Sequence, residues 1–271
     1  MTKNSMKKYL PLLITIIPAL FLYRMIIFGE IVTANDDLAR HPINEWRDNY
    51  IAENENMPQW YPNLFSGMPS YGGYIYMTGD PTKLFRNTIL FNLGLKVWFF
   101  LSLGGFGTFF LLKTLGSSTN AGVLGGLITG LTPYGFGLVN AGHLNKIFAM
   151  AYVPWVLACF LVFMKKKSLK SICVLSLITA LQLWANHPQI VYYTWMIIGF
   201  YYVWSIGTEY KNKSFSLASK LYELGGVVIA IILALLMVSD PYNEVNTFQK
   251  HSNRGAKSVL EKIEETSLGN N

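Results

Sequence analysis

The chain has 271 residues, 52% of them hydrophobic and only 14% charged, with a net charge of +7. A soluble domain carries about 25% charged residues, so this composition excludes an ordinary water-soluble protein. The basic balance raises nucleic acid as a partner, but the distribution of the charge along the chain excludes it.

Seven apolar segments are expected to be membrane spans, near 9–29, 95–113, 121–140, 148–164, 171–186, 189–206 and 221–239. About 20 residues of helix cross the ~30 Å hydrocarbon core. Lys3, Lys7, Lys8, Lys113, Lys165, Lys166, Lys167, Lys170, Lys211, Lys213 and Lys220 all fall on one side of this pattern, with only Glu209 and Glu223 against them. Cytoplasmic loops carry the excess of Lys and Arg. The positive charge is therefore a topology signal: the N-terminus is expected inside, the C-terminus outside, and no nucleic acid is implied. The first segment has a basic start like a signal peptide, but Tyr9–Ile27 is longer than a typical apolar signal core and no small-x-small site follows. A retained helix is expected. Cys159 and Cys173 fall inside apolar runs and read as small core residues.

The segment from about 30 to 94 is then a large outer loop. Its run PQWYPNLFSGMPSYGGYIY should be irregular, rich in turns and held by aromatic side chains, with residues 43–55 forming a helical piece. The third span contains Gly126-x-x-x-Gly130, which favours close helix packing, and Pro133, which should kink it. Residues 241–271 form a polar tail on the outer side. The expected organisation is a transmembrane bundle over 1–240 and a tail over 241–271 that begins a longer outer region.

His41, His143, His187 and His251, with thirteen of the fifteen acids, fall in the expected outer segments. Arg24 lies at the outer end of the first span, and ionisable groups at membrane depth tend to face a cavity or a partner. Three constellations stand out. Asn35-Asp36-Asp37 follows the first span. Two adjacent carboxylates can hold a divalent cation such as Mg or Mn, or one can deprotonate a hydroxyl; the same residues can equally cap a helix starting near Leu38. The turn Gly142-His143-Leu144-Asn145-Lys146 gathers a His, an amide and a cation, the groups that bind phosphate, although snorkelling and turn formation use the same residues. In the turn Asn186-His187-Pro188-Gln189, chain reversal accounts for Asn and Pro but not for His and Gln.

An Asp after the first span, the loop QWYPNLFSGMPSY, the turn AGHLNKI followed by AMAYVPW, WANHPQIVYY, and DPYNEV followed by S-x-RG together resemble the bacterial YfhO family of membrane proteins. The resemblance runs over roughly 20–255, and family members are longer, so the chain reads as an N-terminal portion. It implies an all-α, polytopic membrane helix bundle of the GT-C type, with about seven spans and a large first outer loop, in the bacterial cell membrane. It implies transfer of a sugar from a polyprenyl-phosphate donor to a cell-surface glycopolymer on the outer face. The carboxylate of the first outer loop, here Asp36 or Asp37, would be the acid/base or metal residue. His143, Lys146, Arg24 and His187 would meet the donor phosphate. Asn145, Trp60 and Tyr61, with Tyr71 and Tyr74, would touch the sugars, although such aromatics also form interfacial belts. The alternative is a non-catalytic carrier or assembly subunit for lipid-linked or envelope polysaccharide.

Overall fold

The computed structural model describes residues 9–30, 35–63, 66–70 and 80–249; the side chains of residues 35–37, 39, 40 and 241 lie outside that description. The described residues are helical almost throughout and form two compact units, one from the chain up to Leu38 and from Pro81 to Met237, the other from Ala39–Asp80 and the chain beyond Met237.

The first unit is a membrane helix bundle. After a 3₁₀ turn at Leu10–Leu12 come α1 (Leu13–Phe21) and α2 (Tyr23–Ile27), then the start of α3 (Asn35–Asn54). Beyond the loop follow α4 (Thr82–Thr88), α5 (Leu93–Thr114), α6 (Thr119–Gly130), α7 (Pro133–Ala141), α8 (Leu144–Lys166), α9 (Leu169–Trp184), α10 (Pro188–Lys211) and α11 (Leu217–Met237). Five stretches among the described residues are long and apolar enough to cross a membrane: α5, α6 with α7, α8, α10 and α11. Leu10–Phe21 and α9 are apolar but shorter.

Two of the expected spans are interrupted. The first is interrupted at Leu22, where φ reaches −100° and ψ 9°, between α1 and α2. The third is not bent but broken, because the chain leaves the helix at Leu131 and restarts with Pro133 in the first turn of α7. The fifth, Leu169–Trp184, has the length of the expected segment 171–186, shifted by two residues.

Glycine decides how closely the bundle packs. A Cβ on Gly126 would lie 2.7 Å from the carbonyl oxygen of Gly105, and one on Gly105 would lie 2.7 Å from that of Gly126. The backbones of α5 and α6 therefore touch, and fully buried Ile14 closes over the contact. Side-chain hydrogen bonds tie α5 to three neighbours: Thr108 to Thr129 of α6 at 2.9 Å, Trp98 Nε1 to the Thr15 carbonyl of α1 at 2.9 Å, and Trp155 Nε1 of α8 to the Leu103 carbonyl at 2.8 Å. Two apolar clusters fill the interior. One surrounds Phe100, stacked on Phe148 at 4.1 Å; the other surrounds Phe160, Phe163 and Leu175.

At the lysine-rich end a buried ionic network replaces apolar packing. Lys220 donates to Glu209 at 2.6 Å and to Glu223 at 2.8 Å, and Lys167 pairs with Glu223 at 2.7 Å. Lys220 and Glu223 are almost wholly buried. The network binds the α8–α9 turn to α10 and α11.

In the second unit, β1 (Trp60–Tyr61) and β2 (Met68–Pro69) pair antiparallel, with Trp60 opposite Pro69 and Tyr61 opposite Met68. The reversal uses left-handed backbone at Ser66 and Gly67, φ 64° and 107°. Within the aromatic run, expected to be irregular and rich in turns, Trp60–Tyr61 and Met68–Pro69 thus form a short antiparallel pair. Helix α3 covers the expected piece at 43–55 but starts at Asn35. Helix α12 (Ser239–Gln249) gives the start of the expected polar tail a regular structure.

Candidate functional site

The turn between α7 and α8 is closed by Gly142 at φ 82°. A left-handed residue there lets the amide of His143 reach the Leu138 carbonyl at 2.9 Å and that of Gly142 reach Val139 at 3.1 Å, so the last carbonyls of α7 are satisfied. His143 is then the N-cap residue of the next helix, but its side chain makes no cap hydrogen bond. The turn between α9 and α10 repeats this arrangement. Asn186 has φ 55°, His187 precedes Pro188 at the first helical position, and the His187 side chain makes no cap. Each histidine therefore stands at a helix N-terminus, where unpaired amides and the helix dipole favour an anion.

The two turns lie at the same end of the bundle. Gln182, near the end of α9, donates to the Ala149 carbonyl of α8 at 3.2 Å and to Thr194 of α10 at 2.9 Å. The charges meet as well. Burial pushes the His187 imidazole below its usual range, its own backbone offsets part of this, and the neighbouring Lys146 and His143 push it lower again. This environment favours the neutral imidazole, and its Nδ1 is buried without a hydrogen-bond partner among the described residues. Buried polar atoms are rarely left so. Lys146 extends back along α7 and holds its ammonium 5.3 Å above the Tyr134 ring. His143 and Asn145 are exposed.

An apolar groove of about 320 Å³ begins at the break between α6 and α7 and reaches this end of the bundle. Ile128, Thr132 and Gly135 line it at the break, and Leu138 and Ile147 line it beside the turn. Ile128 is 64% exposed, so the groove is open to the lipid side of the helix. It exists because Leu131 and Thr132 interrupt the helix and because Gly104 and Gly135 bring no side chain.

The other expected residues fall elsewhere. Arg24, in α2, is exposed and grips the Glu30 carboxylate with Nη2 at 2.6 Å and Nε at 3.0 Å. Asn35, Asp36 and Asp37 form the first turn of α3, and their side chains lie outside the described residues. Tyr71, Tyr74 and His251 lie outside them entirely. Among the described residues no three His, Cys, Asp or Glu side chains gather to hold a metal ion.

The second unit contains an open cleft of about 1090 Å³ lined by Trp46, Tyr50 and Trp60 together with Asn56, Gln59 and Glu244. Trp60 is 54% exposed there. Tyr61 is 2% exposed and packs on Trp46 at 5.4 Å. Burial raises its phenol above the usual range, with Arg47 lowering it and Asp48 raising it. Tyr61 is thus a core residue of this unit, and its ring is not available as a sugar platform.

Sequence reasoning did not find the groove, Gln182 or the ionic network. The Lys220-x-x-Glu223 spacing was a signal for the network, since side chains three apart meet on a helix. Comparison of the chain with models of known protein families, with curated proteins and with solved structures finds no match.

Proposed function

We propose that this membrane protein transfers a sugar from a polyprenyl-phosphate donor to a cell-surface acceptor on the outer face of the bacterial cell membrane. The observation that supports it is the meeting of His143, Lys146 and His187 at two helix N-termini beside a lipid-open apolar groove. An isoprenoid chain needs such a groove and its phosphate needs such a cationic rim. In the reaction, the acceptor hydroxyl attacks the anomeric carbon and the bond from that carbon to the phosphate oxygen breaks. The hydroxyl proton passes to a carboxylate, for which Asp36 or Asp37 stands in this proposal. The electron pair leaves with the lipid phosphate, where Lys146, His143 and the helix N-termini offset the charge. Trp60 and the cleft of the second unit suit stacking on the faces of acceptor sugars. A donor-binding carrier without chemistry is the second reading, favoured by the same groove.

The test is sugar transfer from polyprenyl-phosphate donors by purified full-length protein. Lys146→Ala and His143→Ala should each lower turnover about 10²–10³-fold, as loss of a preorganised donor does at an oxyanion site. Of Asp36→Asn and Asp37→Asn, the one that removes the base should cost about 10²–10⁴-fold. Donor binding that is weakened by Lys146→Ala, with no transfer by the parent, would establish the carrier in place of the enzyme.

A further inference from the structure

The run KKKSLK at 165–170 reads in sequence as a simple cytoplasmic anchor, but the fold divides its lysines between two tasks. Lys165 donates to the Thr114 carbonyl and so ties the end of α8 to the end of α5. Lys167 pairs with the buried Glu223 at 2.7 Å. Both are occupied by the protein itself. Lys166 and Lys170 make neither an ion pair nor a side-chain hydrogen bond with any described residue, and both are exposed.

Those two lysines form the rim of a cavity of about 350 Å³ between α5, α8 and α9. Its wall is apolar, from Phe110, Trp155, Val162, Val174 and Ile178, and among the described residues no carboxylate lines it. The wall is rigid. Trp155 is held through Nε1 by the Leu103 carbonyl at 2.8 Å and stacks on Phe110 at 5.6 Å. Its ring also lies over Gly107, where an added Cβ would fall 2.6 Å from Trp155 Cδ1. The cavity opens sideways past Phe110 and Val174, 39% and 40% exposed on the membrane-facing side. Ser168 and Ser171 complete the rim, but their hydroxyls serve the capping box that starts α9. The cationic contribution is therefore that of the two lysines.

We infer that this cavity binds an anionic glycerophospholipid of the inner leaflet, with an acyl chain against the Trp155 wall and its phosphate between Lys166 and Lys170. The two parts of the site select the ligand together. An apolar shaft gives nothing to a soluble phosphate. Two unpaired ammonium groups without a neighbouring carboxylate repel the amine of a zwitterionic headgroup and leave the single negative charge of a phosphatidylglycerol-type lipid as the complement. Basic pockets between transmembrane helices on this side of a membrane have that chemistry. The site stands at the opposite end of the bundle from the histidine turns, and it does not depend on the proposed transfer reaction.

Native mass spectrometry of the full-length protein released from micelles tests this. Phosphatidylglycerol, phosphatidylcholine of the same acyl chains and soluble glycerol 3-phosphate serve as probes. The parent should retain phosphatidylglycerol at least five-fold better than phosphatidylcholine and should not retain glycerol phosphate. Each lysine near an anionic headgroup changes affinity about five-fold, so K166A/K170A should lower phosphatidylglycerol retention about thirty-fold. K211A/K213A removes the same charge from the same end of the bundle and should leave retention unchanged. V174W, which fills the shaft, should lower retention of both lipids. Equal retention of the two lipids, or equal effects of the two double variants, would overturn the lipid site. Competition by glycerol phosphate at equal concentration would overturn it in favour of a soluble-anion site.

Discussion

Gly126→Ala tests the packing argument at its tightest point. The new Cβ would sit 2.7 Å from the carbonyl oxygen of Gly105 and 2.7 Å from Ile14 Cδ1, against about 3.4 Å for ordinary contact. The oxygen belongs to helix backbone and cannot swing aside. Ile14 is fully buried and has nowhere to withdraw. Helices α5 and α6 must therefore separate by about 0.7 Å, which forfeits dispersion contacts along the whole seam. Overpacking of this kind costs about 1–3 kcal/mol. The better helix propensity of alanine returns about 0.5–1 kcal/mol, leaving a net loss of about 1 kcal/mol. Gly105→Ala meets Ile14 Cγ2 at 2.6 Å and the Gly126 oxygen at 2.7 Å, so one separation relieves both clashes. The double variant should accordingly lose less than the sum of the two singles. At Gly137 and Gly199 an added Cβ would meet nothing within 4 Å, so their alanine variants are the controls and should be neutral or slightly stabilised. Reversible unfolding in mixed micelles of increasing sodium dodecyl sulfate measures all five proteins. Gly126→Ala unfolding together with Gly199→Ala, or two strictly additive singles, would refute the reasoning.

Glu223→Gln strips two lysines of a shared carboxylate, one of them only 5% exposed. Breaking a buried pair from one side costs about 3–5 kcal/mol, and the same unfolding assay should show it. Replacing Lys220 and Glu223 together by leucine should recover much of that loss, and an unchanged Glu223→Gln protein would show that the network holds nothing together. Because the folded-state His187 imidazole is held below its ordinary value near 6.5, the unfolded chain binds the proton more readily. Its contribution to stability is therefore complete above that ordinary value and is lost as pH falls below it. Acidification from pH 7 to pH 5 should destabilise the parent more than His187→Asn, and parallel curves for the two would contradict the depressed imidazole. For orientation, single cysteines at 60 and 167 in a protein with Cys159 and Cys173 replaced by alanine should differ. An impermeant reagent outside the cell should label only the first, and the reverse would place the histidine turns in the cytoplasm.

The membrane helices were legible in the sequence because length and hydropathy are local quantities. Five long apolar helices lie where five of the expected segments lie, and the lysine asymmetry reads directly from the order of the loops. The consequence of Pro133 was legible in kind but not in degree. A proline removes a helix donor wherever it stands, but whether the helix bends or parts depends on what its neighbours supply to the freed groups. At Leu131–Thr132 the chain parts, and the groove exists for that reason.

The histidine turns show the same division between local and non-local information. Gly142, Asn186 and Pro188 mark the turns in sequence through their backbone preferences, and the residue types there mark phosphate chemistry. That Lys146 and His143 act on the His187 imidazole depends on α8 and α10 starting at one end of one bundle, about 40 residues apart in the chain. Trp60 and Tyr61 are adjacent and chemically alike, yet one is exposed in a cleft and the other is buried, because successive residues of a strand face opposite sides and only the packing of Trp46 decides which side is inside. The KKKSLK lysines are equivalent in sequence and distinct in the fold, since the carbonyl of Thr114 and the carboxylate of Glu223 reach two of them and not the others. Composition and periodicity determined that the chain is a helical membrane protein. The pairing of particular charges, and the cavities beside them, were decided by contacts between helices far apart in sequence, which no local pattern encodes.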